Sequence, residues 1–180
     1  MKKEGLMMAA RKEISRKKIL HAAKVLFEKN GIDTVSFQQI ANTANVCRTT
    51  VFNHFSGTRE LMLGIVSQEV AELMTYFVGI DASGKDKVIA LFDKLIEDTA
   101  NYPTLTTRLI NNAILSGENE NPIAIIEQAA CEAMDGDEAC AVYAVGCYLG
   151  LITHYHIHGL AFEPEKMKDE FRRLFLGSEA

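Results

Sequence analysis

The sequence predicts an all-α protein with a three-helix head, residues 1–58, followed by a larger helical body, residues 59–180. Apolar residues recur through most of the chain at the i, i+3, i+4 spacing of helices that bury one face. Short polar or glycine-containing breaks separate these segments, and prolines number only three. In the middle of the head, Val35–Phe55 has the pattern of a short helix, a tight turn and a second short helix.

The first helix is predicted to run from about Ser15 to Asn30, with Ser15 as a candidate N-cap and Gly31 as a candidate C-cap. Residues 1–14 have no clear periodicity and are expected to form a frayed arm. The apolar stripe of the helix comprises Ile19, Ala22, Ala23, Leu26 and Phe27.

The helix-turn-helix pattern begins with a capping box. Ser36 is followed three residues later by Gln39, so a helix should start immediately after Ser36. Asn45 is expected to adopt the left-handed conformation of the turn, which Asn tolerates better than most residues. The second helix is predicted over about Cys47–His54.

Six more helices are predicted in the body, over about residues 59–79, 87–101, 104–115, 122–134, 137–158 and from 164 onwards. A polar loop is expected at 116–121. The helix at 137–158 is apolar nearly all round, so it should be buried on several sides.

Charge is distributed unevenly. Residues 1–60 carry a net charge of +6 and residues 61–180 a net charge of −11. A basic head on an acidic body directs a polyanion towards the head.

The sequence shows no uninterrupted apolar run of about 18 residues and no apolar signal region after its basic N-terminus. We therefore expect a cytoplasmic protein that does not associate with a membrane. The cysteines, at 47, 131, 140 and 147, form no CxxC pair and are expected to be free thiols.

The second helix of the motif is expected to expose Arg48, Thr49, Thr50 and Asn53. Arg pairs with guanine and Asn with adenine in a DNA major groove, so this face suits sequence reading.

Residues 15–61 resemble the TetR family of transcriptional regulators. The resemblance is carried by IxxAAxxLFxxxG (Ile19–Gly31), VSFQQIAxxAxV (Val35–Val46), CRTTVFNHF (Cys47–Phe55) and the Glu60-Leu61 pair. It implies a homodimer that binds a double-stranded, pseudo-palindromic operator and is released by a small-molecule effector bound in the body.

This chain departs from the usual family pattern at three positions. Cys47 stands where Ser often caps the second helix, Phe52 where Tyr often stands, and Thr58-Arg59 where Lys is common. The predicted base-reading residues are Arg48, Thr49 and Asn53. The predicted phosphate-contacting residues are Thr50, His54 and Arg59, and Ser36 and Phe52 complete the expected DNA surface.

The last two helices could form half of a four-helix dimer interface, because small residues on one stripe allow close helix approach. The predicted interface residues are Gly146, Gly150, Thr153, Ile157, Phe171, Leu174 and Phe175.

The expected effector is an apolar or aromatic small molecule held between helices of the body. Its candidate lining residues are Phe77, Phe92, Tyr102, Leu109, Asn112, Met134, Tyr143 and Cys147. No cofactor is predicted.

An alternative is a sensor of metal, haem or thiol-reactive compounds. Its candidate residues are Cys131, Cys140, Cys147, His154, His156 and His158. Cys140 and Cys147 are about 10.5 Å apart along a helix, too far to share one ion. His154 and His158 are one turn apart and could share one metal ion.

Cys47 could respond to oxidants, since a helix N-terminus next to Arg48 should lower its pKa.

An enzyme is not predicted, because GxGxxG, GxxxxGK[ST] and HExxH motifs are all missing from the sequence. A purely helical interaction module is the other rival, but it would not require a basic head with an exposed Arg-Thr-Thr face.

Overall fold

A computed structural model describes residues 2–116 and 121–177, so the predicted loop at 116–121 lies mostly outside the described residues. Within those ranges the chain forms nine α-helices and a short 3-10 turn at Ile32–Thr34, and the all-α prediction is confirmed. The helices are α1 (Lys2–Asn30), α2 (Phe37–Ala44), α3 (Arg48–His54), α4 (Thr58–Val78), α5 (Gly84–Asn101), α6 (Pro103–Ser116), α7 (Pro122–Ala133), α8 (Glu138–Ile157) and α9 (Pro164–Leu176).

The chain divides into two compact units, Met1–Ser67 and Gln68–Ala180. These units replace the predicted bounds of 1–58 and 59–180, and from here on the head is Met1–Ser67 and the body is Gln68–Ala180. The division falls within α4, whereas the sequence placed the boundary at the start of that helix.

Helix α1 begins at Lys2, so the expectation of a frayed arm at residues 1–14 is wrong. Ser15 does not cap the helix; its hydroxyl donates to the carbonyl oxygen of Arg11 one turn earlier. Residues 7–14 are all exposed, which explains why this part of the helix carries no apolar stripe. Good helix formers such as Met, Ala, Lys and Glu favour helix there without burial.

The head has a core to which each of its helices contributes. The residues that are at most 2% exposed include Ile19, Ala23, Phe27, Ile40, Val51, Phe55, Leu61 and Ile65. The predicted α1 stripe therefore faces the helix-turn-helix.

The core of the body is built around α8, which packs against α7 and α9, while α5 closes the cluster. The ring of Phe92 stacks on Phe171 at 4.8 Å and lies 5.8 Å from Tyr148, centroid to centroid. Lys168 and Arg172 of α9 pair with Glu97 and Asp93 of α5, which ties the last helix to the core.

Two helices, α4 and α8, are long and apolar enough to cross a membrane on length and composition alone. Core helices of soluble proteins pass the same test, so this is weak evidence for a membrane span.

Candidate nucleic-acid interface

The predicted capping box is present at the start of α2. The Ser36 backbone N–H donates to the Gln39 side-chain oxygen at 2.8 Å, and the Gln39 N–H donates to the Ser36 hydroxyl at 3.3 Å. Asn45 ends α2 with φ 54° and ψ 50°, the left-handed conformation predicted for the turn. These local contacts set the angle at which the chain enters α3.

Helix α3 begins at Arg48, and Cys47 occupies the N-cap position without a capping hydrogen bond from its side chain. The exposed Cys47 sulfur instead lies 2.9 Å from the Thr50 hydroxyl. This hydrogen bond lowers the pKa of the Cys47 thiol from its ordinary value.

The outer face of α3 exposes Arg48, Thr49, Phe52 and Asn53, while Val51 on the opposite side is fully buried in the head. Thr50 is half-buried next to Cys47. The predicted base-reading residues thus share one accessible surface, which we call the α3 face.

An aromatic contact supports the α3 face. The Phe52 ring, 47% exposed, lies 4.8 Å from the ring of Phe37, the first residue of α2. The Arg48 guanidinium carbon lies 5.2 Å from the Phe52 ring centroid. Phe37 was not predicted as part of this surface, although the i, i+4 spacing of Arg48 and Phe52 already indicates that those two side chains meet.

The end of α3 lies beside positive charge from α1. Burial, followed by the charges of Lys12 and Arg16, lowers the pKa of the His54 imidazole. Arg16 also lies over the Phe55 ring, 5.5 Å from its centroid. The predicted phosphate-contacting residue His54 therefore belongs to a basic edge contributed by two helices.

The start of α4 carries the exposed Arg59. Nearby, the Ser56 N–H and hydroxyl donate to one Glu60 carboxylate oxygen at 2.6 and 2.7 Å. These hydrogen bonds lower the pKa of Glu60 and stabilise the first turn of α4.

The predicted dimer residues separate into two groups. Gly146, Gly150, Thr153 and Ile157 are exposed along α8, and a Cβ added at either glycine would meet nothing within 4 Å. Leu174 is exposed on α9. Phe171 and Phe175 are buried in the core of their own protomer, so their side chains are not accessible to a second copy.

The body contains an open groove of about 400 Å³. Its lining residues come from the end of α4 and from α7 with its N-cap: Met74, Phe77, Val78, Asn121, Ala124, Ile125, Gln128, Ala129 and Glu132. Among the described residues that line it, Phe77 is the one that sequence reasoning selected.

The other seven predicted pocket residues lie elsewhere. Phe92 is fully buried between aromatic rings, and the exposed Tyr143 donates a hydrogen bond to the Leu174 carbonyl at 2.9 Å. Asn112 is exposed, and Tyr102, Leu109, Met134 and Cys147 are half-buried. Helical periodicity identified apolar positions but not the gap between α4 and α7.

The cysteine and histidine candidates do not assemble into a site in the part of the chain that the structure describes, where no three His, Cys, Asp or Glu residues could hold one metal ion. The rings of His154 and His158 are 4.6 Å apart, as their spacing predicted. Burial raises the pKa of both Cys131 and Cys147. Cys140 is half-buried and His156 exposed.

Comparison with known proteins places these features in a family. A family model described as "Bacterial regulatory proteins, tetR family" matches residues 19–65, which include the capping box, the turn and the whole of α3. The HTH-type transcriptional regulator SrpR of Pseudomonas putida is 27% identical over 177 residues, covering 90% of this chain and 80% of SrpR. The uncharacterized HTH-type transcriptional regulator TtgW, also of Pseudomonas putida, is 31% identical over 88 residues, covering 47% of this chain and 66% of TtgW.

Solved structures extend the likeness to the fold of the body. A transcriptional regulator from Rhodococcus sp. Rha1 aligns with a TM-score of 0.73 at 14% identity, covering 89% of this chain and 93% of that one. FadR of Thermus thermophilus, a TetR-family repressor in complex with lauroyl-CoA, aligns with a TM-score of 0.58 at 20% identity, covering 92% and 95%. Residues 19–65 therefore form the DNA-binding domain of a TetR-family transcriptional regulator.

Proposed function

We propose that this regulator is a cytoplasmic repressor that binds a pseudo-palindromic operator as a homodimer and leaves it when a small molecule occupies the body. The observation that carries the proposal is the α3 face. It presents Arg48, Thr49 and Asn53 together on a short helix held by a capping box and a left-handed turn. Thr50, His54 and Arg59 supply phosphate contacts around it.

The second copy is proposed to dock on the exposed stripe of α8. Gly146 and Gly150 leave room for a close helix approach, and Val142 and Ile157 are 55% and 71% exposed. Apolar side chains this exposed gain free energy when a partner covers them. The two α3 helices must then lie about 34–36 Å apart to enter successive major grooves.

The effector is proposed to bind in the groove between α4 and α7. The lining is mostly apolar, with Asn121, Gln128 and Glu132 as its polar groups and no basic residue among its described members. FadR of Thermus thermophilus holds lauroyl-CoA, whose phosphates are anionic. The lining itself carries one carboxylate and no cation, which favours a neutral or cationic apolar molecule. The Lys87 ammonium lies beside the groove and is held over the Phe77 ring, 4.5 Å from its centroid.

DNA binding is tested with duplexes selected from a randomised library by the full-length protein. Binding to the selected duplex should weaken steeply with salt, because phosphate contacts release counterions. Arg48→Ala should cost about 1–3 kcal/mol of specific binding and relax the preference at one base pair. Lys85→Ala, which removes one exposed charge from the body, should leave specificity unchanged.

A protein that selects no common sequence, or an Arg48→Ala variant that binds the selected duplex as tightly as wild type, contradicts the proposed role of the α3 face in reading DNA.

The effector is tested separately by calorimetry with dodecylamine, dodecanol and dodecanoate. Binding is expected in the order amine, alcohol, carboxylate. Ala124→Phe, in the groove, should weaken it, and Ala161→Phe, at an exposed site outside the groove, should not.

A further inference from the structure

Arg48 lies over the Phe52 ring, which in turn lies against the ring of Phe37. Arg48 and Phe52 are one turn apart on α3, and the guanidinium carbon lies 5.2 Å from the ring centroid. The other neighbour of the Phe52 ring is Phe37, at 4.8 Å with an interplanar angle of 43°. Phe37 directly follows the capping-box residue Ser36, so a well-defined helix start supports the contact between Phe37 and Phe52.

A guanidinium over an aromatic ring is attracted by the negative face of the ring. Its N–H donors lie in the guanidinium plane, so stacking occupies the flat face and leaves the donor edge available. Guanine is read by two parallel hydrogen bonds from that edge to O6 and N7. Holding the long Arg side chain before DNA arrives reduces the conformational entropy lost on binding.

We propose that Phe52, backed by Phe37, is a positioning residue that orients Arg48 for guanine recognition. The inference rests on the proposed function of the α3 face. It assigns Phe52 a role that needs no hydroxyl, at a position where the family often has Tyr. It also extends the DNA-reading unit to Phe37 in α2.

A direct role for Phe52 makes a different prediction. An exposed aromatic ring in a major groove can contact a thymine methyl group without involving Arg48. The positioning role requires the effect of changing Phe52 to depend on Arg48, whereas direct contact does not. A double-mutant cycle distinguishes the two roles.

The experiment uses the library-selected duplex and single-pair variants in which each G·C is changed to A·T, with binding followed by fluorescence anisotropy. Phe52→Leu should reduce discrimination roughly two- to fivefold at the base pair that Arg48→Ala also affects, as expected for loss of an exposed cation–π contact. Phe52→Tyr keeps the ring and should retain that discrimination. Phe37→Leu should act in the same direction with a smaller effect.

In the Arg48→Ala background, Phe52→Leu should change discrimination no further. Unchanged discrimination in Phe52→Leu, or the same loss with and without Arg48, overturns the positioning role. If Arg48→Ala itself leaves specificity unchanged, the assignment of Arg48 as a base reader fails instead. Circular dichroism checks the fold of each variant, and Phe52→Met provides a second ring-free side chain.

Discussion

The helix-turn-helix of the head and the core of the body each contain contacts of a different sequence range. In the head, Ser36 and Gln39 form their capping box three residues apart, and Ser56 and Glu60 bond four residues apart. In the body, Lys168 pairs with Glu97, and the buried hydroxyls of Thr99 and Tyr148 meet at 2.7 Å. The helix-turn-helix therefore contains hydrogen-bonded motifs that a short stretch of sequence reveals, whereas these contacts in the core of the body join residues distant in the chain.

This difference explains why the α3 face can be recognised from a short stretch of sequence while the effector groove cannot. A helix N-cap or a left-handed turn residue needs one or two particular side-chain types. A groove between α4 and α7 needs only small or apolar residues, which also fill an ordinary core. We therefore expect the loss of a buried ring in the core of the body to lower the free energy of unfolding most. Single changes at caps and turns should give smaller but measurable losses in the head.

The largest effect is expected from Phe92→Ala in the body. Phe92 is fully buried and stacks on Phe171. Its removal should lower the free energy of unfolding by about 3–5 kcal/mol, because a cavity is left beside the rings of Phe171 and Tyr148. Denaturant unfolding measures the loss. Tyr76→Ala, at a ring that is 42% exposed, is the control and should cost far less.

Glycine-to-alanine changes should have opposite effects on stability at one position in the head and one in the body. A Cβ at Gly64 in the head would lie 2.9 Å from Phe55 Cε1 and 3.0 Å from Leu20 Cδ2. The overpacking should outweigh the gain in helix propensity and destabilise the protein by about 1–2 kcal/mol. Thermal unfolding measures it.

The matched change is Gly146→Ala in the body, where an added Cβ meets nothing within 4 Å in the protomer. It should stabilise α8 by about 0.5–1 kcal/mol. It should also weaken self-association, measured by sedimentation, if α8 approaches a second copy closely. Equal destabilisation by Gly64→Ala and Gly146→Ala would contradict the expected difference in packing around the two glycines.

The serines that precede α2 in the head and α5 in the body differ in their capping hydrogen bonds. Ser36 makes the capping box of α2, whereas Ser83 caps α5 without a side-chain hydrogen bond. Ser36→Ala should cost about 1 kcal/mol of stability. Ser83→Ala should cost close to nothing, and a similar loss from both changes would show that the capping box contributes little.

Much of the fold follows from the sequence because burial repeats with the helical period. The α1 stripe, the start of α2 and the conformation of Asn45 were all predicted. The N-terminal half of α1 was missed because its exposed side chains leave no apolar pattern. Phe171 and Phe175 share the apolar stripe of α9, but periodicity alone cannot distinguish a stripe facing its own core from one facing a partner.

In the candidate site, too, the sequence predicts exposed positions on one helix but not contacts between helices. Arg48, Thr49 and Asn53 could be selected because they are polar residues of a short helix whose buried side is marked by the apolar Val51. The contact of Phe37 with Phe52 could not be predicted, since it depends on how α2 and α3 cross. The groove beside α7 depends on a gap between helices, and only Phe77 of its lining stood out in the sequence.

The smallest expected effect is a pH dependence confined to the head. Burial and the charges of Lys12 and Arg16 hold the pKa of His54 below its ordinary value of about 6.5. Above that value both folded and unfolded chains leave His54 neutral. As pH falls below it, the unfolded chain takes up the proton first, so stability declines until the folded pKa is passed.

His54→Gln should remove this part of the decline in unfolding free energy as the solution is acidified through the ordinary histidine pKa of about 6.5. His21→Gln, at an exposed histidine of α1, is the matched control. DNA binding should respond in the opposite sense, because a phosphate beside His54 favours the protonated form and draws a proton into the complex. Affinity for the selected duplex should therefore rise on acidification in the wild type and less in His54→Gln. An identical pH profile in both proteins would remove His54 from the phosphate-contacting set and leave Thr50 and Arg59 as its members.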